Sequence, residues 1–252
     1  MKRIMFLFSL FFSVILLAQE KLSVKYEYHL EMEFDEFMKD RGQMRLPPEM
    51  QKKVLESITE PRYYTLHLSP GESLYTSEVK INNSQSADGR QGSHVVRGAN
   101  PLYKNLNENY YMQTKVMANK DFLVKDSLIR YDWKITKETK EILGYEVRKA
   151  EYRDSTKIIT AWYAPKLPFK SGPEYFQGLP GLIFDVVTEN YGKDVQKSKY
   201  IWKVLSVEVD KSNSALEKPT KGKPASETEF KQFVEQQQKK NREMYEGGVD
   251  KD

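Results

Sequence analysis

The segment LSVKYEYHLEMEF at residues 22–34 alternates without a break. Leu22, Val24, Tyr26, Tyr28, Leu30, Met32 and Phe34 interleave with Ser23, Lys25, Glu27, His29, Glu31 and Glu33. A period of two sends successive side chains to opposite faces of a strand, so one face is apolar and the other wet. That is the signature of an antiparallel sheet, because strands of parallel sheets are normally covered on both faces. The fold class read from it is mainly β: a long-stranded, curved antiparallel meander.

Working outward, runs rich in Tyr, Val, Ile, Trp and Thr predict further strands at Tyr63 to Leu68, Ser73 to Ile81, Tyr110 to Met117, Phe122 to Ile135, Tyr145 to Tyr152, Lys157 to Ala164, Leu182 to Thr188 and Tyr200 to Val209. Asn119 to Asp121 and Arg153 to Ser155 read as hairpin turns. Two segments carry a helical period instead. Pro48 to Ile58 places Met50, Val54, Leu55 and Ile58 on one side of a short inserted helix. Ser226 and Glu229 form a capping box ahead of Phe230, Phe233, Val234, Gln237, Met244 and Tyr245, which predicts a C-terminal amphipathic helix. Polar composition marks 82–100 as a loop and 210–225 as a linker.

The chain opens with Lys2 and Arg3, an apolar run from Ile4 to Leu17, and Ala18. This is the layout of a signal peptide, and the run is shorter than the ~20 residues a membrane-spanning helix needs. Cleavage near Ala18 is expected to give a periplasmic or extracellular protein that does not span a membrane. The expected organisation is a signal peptide at 1–18, a β domain at 19–209, a linker at 210–225, and a helix and tail at 226–252. With no cysteine, stability rests on a hydrophobic core. Without Lys2 and Arg3, 38 basic residues face 36 acidic ones. Such near-neutral, interspersed charge argues against a nucleic-acid partner.

Enzyme readings mostly fail on inventory. There is no Cys, HExxH, GxSxG or P-loop pattern, and three histidines, His29, His67 and His94, make a metal site or cofactor unexpected. A Ser93 and His94 pair is adjacent in sequence, a poor geometry for nucleophile and base. Asp35, Glu36, Asp132, Asp185 and Glu189 lie near strand ends or among apolar residues, but read first as surface charge.

The stretch from Ala161 to Val187 differs in kind. It holds Trp162 and Tyr163, then Gly172-Pro173 with Tyr175 and Phe176, then Gly178-Leu179-Pro180-Gly181-Leu182-Ile183. Pro180 and Gly181 suit the centre of a type II turn with positive φ at Gly181, feeding a buried strand. On this reading Gln177, just outside the turn, matters little to folding. These words resemble the signature of the GLPGLI family of Bacteroidota envelope proteins. Trp133-Lys134-Ile135 and the Leu143-Gly144-Tyr145 step fit as well, so the resemblance covers most of Leu22 to Val209.

The resemblance implies an exported β-rich domain with no agreed activity and no transferable catalytic residues. It implies kinship with a domain preceding the catalytic part of one type of secreted glycoamidase, and company with outer-membrane transporter components. The expected function is therefore a non-catalytic binding or accessory role in the envelope, with an outer-membrane or periplasmic protein as partner. The alternatives are a carrier of a lipid or hydrophobic peptide, and a carboxylate-based hydrolase. Tyr175 and Leu179 are the candidate binding residues, and the remaining motif residues are expected to be architectural.

Overall fold

The computed structural model describes residues 21–38, 47–78, 100–191, 197–211 and 215–246. The alternating segment forms β1 (Leu22–Glu31), followed by a short α1 (Phe34–Met38) and α2 (Pro48–Thr59). Strands β2 (Arg62–Ser69), β3 (Glu72–Ser77), β4 (Leu102–Asn105), β5 (Tyr110–Met117) and β6 (Lys120–Ser127) come next. They are followed by β7 (Lys134–Ile142), β8 (Tyr145–Arg153), β9 (Lys157–Ala164), β10 (Leu182–Asn190), β11 (Ser198–Val209), β12 (Lys223–Ala225) and α3 (Glu227–Glu246). All twelve strands belong to one sheet in the order β12-β6-β5-β4-β3-β2-β1-β11-β10-β9-β8-β7. Every pairing is antiparallel except β12 on β6. No described helix is long and apolar enough to cross a membrane.

The hairpins follow from local chemistry. Ala118 and Asn119, and likewise Leu143 and Gly144, both take positive φ, the mirror-image turn that matches strand twist. Between β8 and β9, Asp154 accepts the backbone N–H groups of Thr156 and Lys157.

The connection from β6 to β7 sets the curvature. These strands lie ten inter-strand steps apart in the sheet, which laid flat would separate them by ~48 Å. Only residues 128–133 join Ser127 to Lys134, and that span reaches at most ~25 Å fully extended. The sheet therefore curls, and the connection crosses its concave face. That face carries one continuous cross-strand ladder: Tyr26 beside Tyr64 and Val204, Trp202 beside Val186 and Tyr28, and Thr188 beside Ile159 and Tyr200.

Three expectations are corrected here. Phe122 to Ile135 is not one strand: it breaks after Ser127, because Tyr131 and Trp133 pack with Tyr152 and Phe176 over the concave face instead of extending a ladder. The alternation of residues 22–34 outlasts its strand, which ends at Glu31 before α1 begins at Phe34. Strand β4 and the edge strands β7 and β12 carry no sequence pattern distinct enough to predict them. The 1–18 segment, most of the 82–100 loop with Ser93 and His94, and the ends of the chain lie outside the described residues.

Helix α3 starts at the predicted capping box: Ser226 N–H donates to Glu229 at 2.6 Å and Glu229 N–H to Ser226 Oγ at 3.2 Å. Phe230 and Phe233 pack on Phe122, with ring centroids 5.5 and 4.9 Å apart. Glu227 accepts from Lys115 at 2.6 Å and Tyr111 at 2.8 Å. Truncating both phenylalanines to alanine is expected to lower stability by about 2–4 kcal/mol, since each is half-buried against an apolar face. Urea denaturation of Phe230→Ala/Phe233→Ala against the parent chain checks this.

Candidate functional site

The segment from Pro165 to Gly181 leaves the sheet after β9, fills the concave face and returns into β10. Leu182 N–H bonds to the Leu167 carbonyl and Ile183 N–H to that of Ser171, both closing the excursion at its base. Three side-chain anchors hold it down. Tyr26 donates to the Ile183 carbonyl at 2.6 Å, the Ser73 and Ser171 hydroxyls meet at 3.0 Å, and Lys104 Nζ donates to the carbonyls of Gly172 at 2.9 Å and Phe176 at 3.1 Å. The crossing connection adds two more: Trp133 Nε1 donates to the Gln177 carbonyl at 2.9 Å and Gln177 Nε2 to that of Ile129.

The turn geometry differs from the expectation. Positive φ falls at Gly178 (+92°), not at Gly181. Gly181 N–H instead bonds back to the Leu179 carbonyl across Pro180. Glycine is required at 181 by close approach, as a Cβ there would meet the Ala164 carbonyl oxygen at 2.3 Å. At Gly172 it would meet Ile183 Cβ at 2.6 Å. Nor is Gln177 peripheral: it is 5% exposed and its amide ties the excursion to the crossing connection.

Of the remaining motif residues, Tyr163, Leu179, Leu182 and Ile183 are buried core. Pro173 is buried and Pro180 exposed. Trp162 faces outward, with the Lys140 ammonium 4.3 Å from its ring centroid. Tyr175 is half-buried, donates to Gln113 Oε1 at 2.7 Å and meets the Tyr111 ring edge-on. Asp185 accepts from Val204 N–H at a bulge in β10, Asp132 pairs with Arg130 on the surface, and Glu36 accepts from Lys197 N–H. His29 sits between Glu27 and Glu31. Among the described residues no three His, Asp or Glu side chains converge on a metal site.

Two cavities open on either side of the excursion, about 270 and 80 Å³ in volume. Tyr131, Tyr175, Phe176, Tyr200 and Trp202 form the aromatic wall of the larger. Tyr64, Tyr75 and Tyr175 wall the smaller. Glu174 lines both. It has φ +42°, a left-handed backbone that costs a residue with a Cβ about 1–2 kcal/mol. What holds it there is Lys104, whose ammonium grips the carbonyls two residues before and after it.

The electrostatics are set by enclosure. Burial pushes the Glu174 carboxyl up to about 7, against the pull of Lys104. Burial likewise pushes the Lys104 ammonium down to about 7, against the pull of Glu174. Tyr28, Tyr64, Tyr75 and Tyr131 are each raised, first by burial and then by the Glu174 charge, so they stay neutral donors. Neither Lys104 nor Glu174 stands out in the sequence. Lys104 is one of four consecutive buried residues, and Glu174 is one polar letter in Gly172-Pro173-Glu174-Tyr175-Phe176.

This arrangement has relatives. The profile of the family described as "N-glycanase peptide, N-terminal domain" matches residues 73–220, more than half of the chain. The chain belongs to this family. Two structures of PNGF-II share its fold: in the C2 space group the match covers 85% of this chain and 32% of that one, with 18% identity and a TM-score of 0.52. In the P21 form it covers 85% and 33%, with 19% identity and a TM-score of 0.52. The chain thus spans about a third of the PNGF-II structures. The LolA superfamily protein NE2245 from Nitrosomonas europaea aligns with a TM-score of 0.30 at 7% identity, too low to bear on the fold. No curated protein matches the chain.

The Glu174 and Lys104 pair predicts a pH signature. The raised folded pKa of Glu174 means the folded state holds a proton the unfolded chain has released between its ordinary value near 4.5 and about 7, so its contribution declines as pH rises through that window. The lowered folded pKa of Lys104 means the unfolded chain holds the extra proton between about 7 and its ordinary 10.5, so its contribution grows as pH rises there. Glu174→Gln should therefore gain Tm relative to the parent from pH 5 to pH 7. Thermal melts at the two values check the sign, and an unchanged difference would be inconsistent with the shift.

Proposed function

We propose that the chain is an exported, non-catalytic binding domain of the cell envelope, whose ligand site is the aromatic cleft around Glu174. The observation that carries this reading is the carboxylate itself: held in a strained backbone, lining both cavities, and joined, among the described residues, to no hydrogen-bond or ion-pair partner. Strain and a half-buried carboxylate without a direct partner are costs that folding alone does not require, and they concentrate at functional sites.

A non-catalytic role is supported by the make-up of the walls. Among the described residues Glu174 is the single carboxylate lining either cavity, whereas carboxylate-based glycoside hydrolysis uses two, acting as acid and as base or nucleophile. The family description places kin of this domain in N-glycanase proteins, which supports an accessory role beside an exported enzyme or transporter partner. The GLPGLI-like segment at residues 178–183 fits this reading as the architectural base of the site.

Ile129 lines the larger cavity yet is 45% exposed, so Ile129→Trp should obstruct the cleft without disturbing the core. The mature protein recovered from envelope extract and examined by native mass spectrometry should carry a bound small molecule that this variant lacks. The bare protein mass in both, together with no thermal shift in extract, would overturn the binding reading. Glycan release from a denatured glycoprotein, abolished by Glu174→Gln, would overturn the non-catalytic one.

A further inference from the structure

Glu174 has charge near it but nothing in contact with it. Lys104 acts on its carboxyl through space, yet among the described residues the two form no ion pair, and the ammonium directs two of its hydrogens at the Gly172 and Phe176 carbonyls. The phenols of Tyr28, Tyr64, Tyr75, Tyr131 and Tyr175 all lie close enough to feel the carboxylate's charge. They come from β1, β2, β3, the crossing connection and the excursion, so aromatic residues approach Glu174 from five parts of the fold. The carboxylate itself is half-buried and shared by both cavities.

That composition sets the charge of what fits. Glu174 would repel an anion. A neutral molecule would cover the rings while stripping water from a carboxylate that has no direct partner, which is costly. A metal ion needs several oxygen or nitrogen ligands, and among the described residues no three such side chains converge. A protonated amine meets each demand. Its N–H donates to the carboxylate in a charge-assisted hydrogen bond, its charge compensates Glu174 as water leaves, and both its alkyl part and its charge are favourable beside Tyr and Trp rings. Lys104 is the one charge that acts on Glu174, so Lys157 in the larger cavity's wall stands too far away to oppose a cation held there. At about 270 Å³ the larger cavity is slightly below the usual range for small-molecule sites and suits a compact head group.

We propose that the cleft binds a protonated amine, its ammonium donating to Glu174 and its alkyl part lying against Tyr131, Tyr175 and Trp202 of the larger cavity. This rests on the binding reading above and names its ligand class. The shared chemistry is an alkylammonium, carried by a free amine or by a lysine side chain of a peptide. Lys104 positions the acceptor by holding the backbone on either side of it.

The test is calorimetric titration of the mature chain, with Tm as a second readout, using n-butylammonium, n-butanol and butyrate at matched ionic strength. These probes hold the alkyl chain constant and change only the head group. n-Butylammonium should bind saturably with a Kd on the order of 1 mM, and the other two should not. Nα-acetyl-lysine methylamide carries the same head group on a peptide backbone, so tighter binding than n-butylammonium assigns a peptide source and weaker binding a free amine. Glu174→Gln keeps the shape, removes the charge and should weaken n-butylammonium about tenfold while retaining a cooperative melt. Affinity for the parent chain should rise about tenfold from pH 6 to pH 8. Glu174 gains its charge and Lys104 loses its own, each at about 7, while the five phenols stay neutral, and both changes favour a cation. This slope should flatten in Glu174→Gln.

Saturable binding of n-butanol or butyrate without n-butylammonium would overturn the amine assignment and leave the binding reading intact. Silence from every probe, with a ligand still retained from envelope extract, would do the same. Silence with no retained ligand would overturn both. Binding of n-butylammonium undiminished in Glu174→Gln would place the site elsewhere and overturn the proposal.

Discussion

Six residues joining the second strand from one edge of the sheet to the strand at the other edge constrain everything else in the molecule. A twelve-stranded antiparallel sheet with that short a tie cannot lie flat, so it bends until the ends come within reach. Bending creates an inner face crowded with large side chains and too wide for them to fill alone. The Pro165 to Gly181 excursion is the filler, and its glycines are needed where its backbone presses on Ala164 and Ile183. The tie and the filler then hold each other through Trp133 and Gln177. Curvature, excursion and cleft are thus one structural consequence.

Lys104 shows how the interior is made specific. A buried ammonium is expensive unless its hydrogens find acceptors. Here two are backbone carbonyls that would otherwise go unpaired inside the core, at a cost of about 1–3 kcal/mol each. Lysine therefore does what an apolar residue of similar length would not: it fixes the backbone at Gly172 and Phe176 and, between them, the left-handed Glu174. The arrangement transmits a positional demand from a strand to a carboxylate that the lysine does not itself pair.

The sequence made the sheet legible wherever one face was buried and the other wet. Residues 22–31 and the strands flanking them followed period two, and the Ser226 and Glu229 box marked the start of α3. It failed where aromatic residues served another purpose. Tyr131 and Trp133 have strand-like propensity, yet their rings are spent on the excursion, so the break after Ser127 was invisible to any local pattern. The motif at 178–183 was rightly singled out, but its demand on Gly181 is contact with a residue seventeen positions earlier and not the φ that local turn chemistry suggested. The two residues that define the cleft were missed for the same reason. Lys104 and Glu174 meet only through tertiary structure, seventy positions apart, and nothing periodic connects them.

A stable fold and a ready site make opposite demands on the cleft. Core aromatic packing rewards closing the space around Trp202, while the half-buried Glu174 carboxylate favours keeping it open. A protein selected for stability alone would replace Glu174 with a residue content in that environment, since a largely desolvated carboxylate without a direct partner is costly. A ligand that supplies the missing hydrogen bonds binds the folded chain and not the unfolded one, so occupancy would add to stability by mass action. On the binding reading proposed above, the cleft is an open part of the core, and Glu174 is the group that a ligand there would complete.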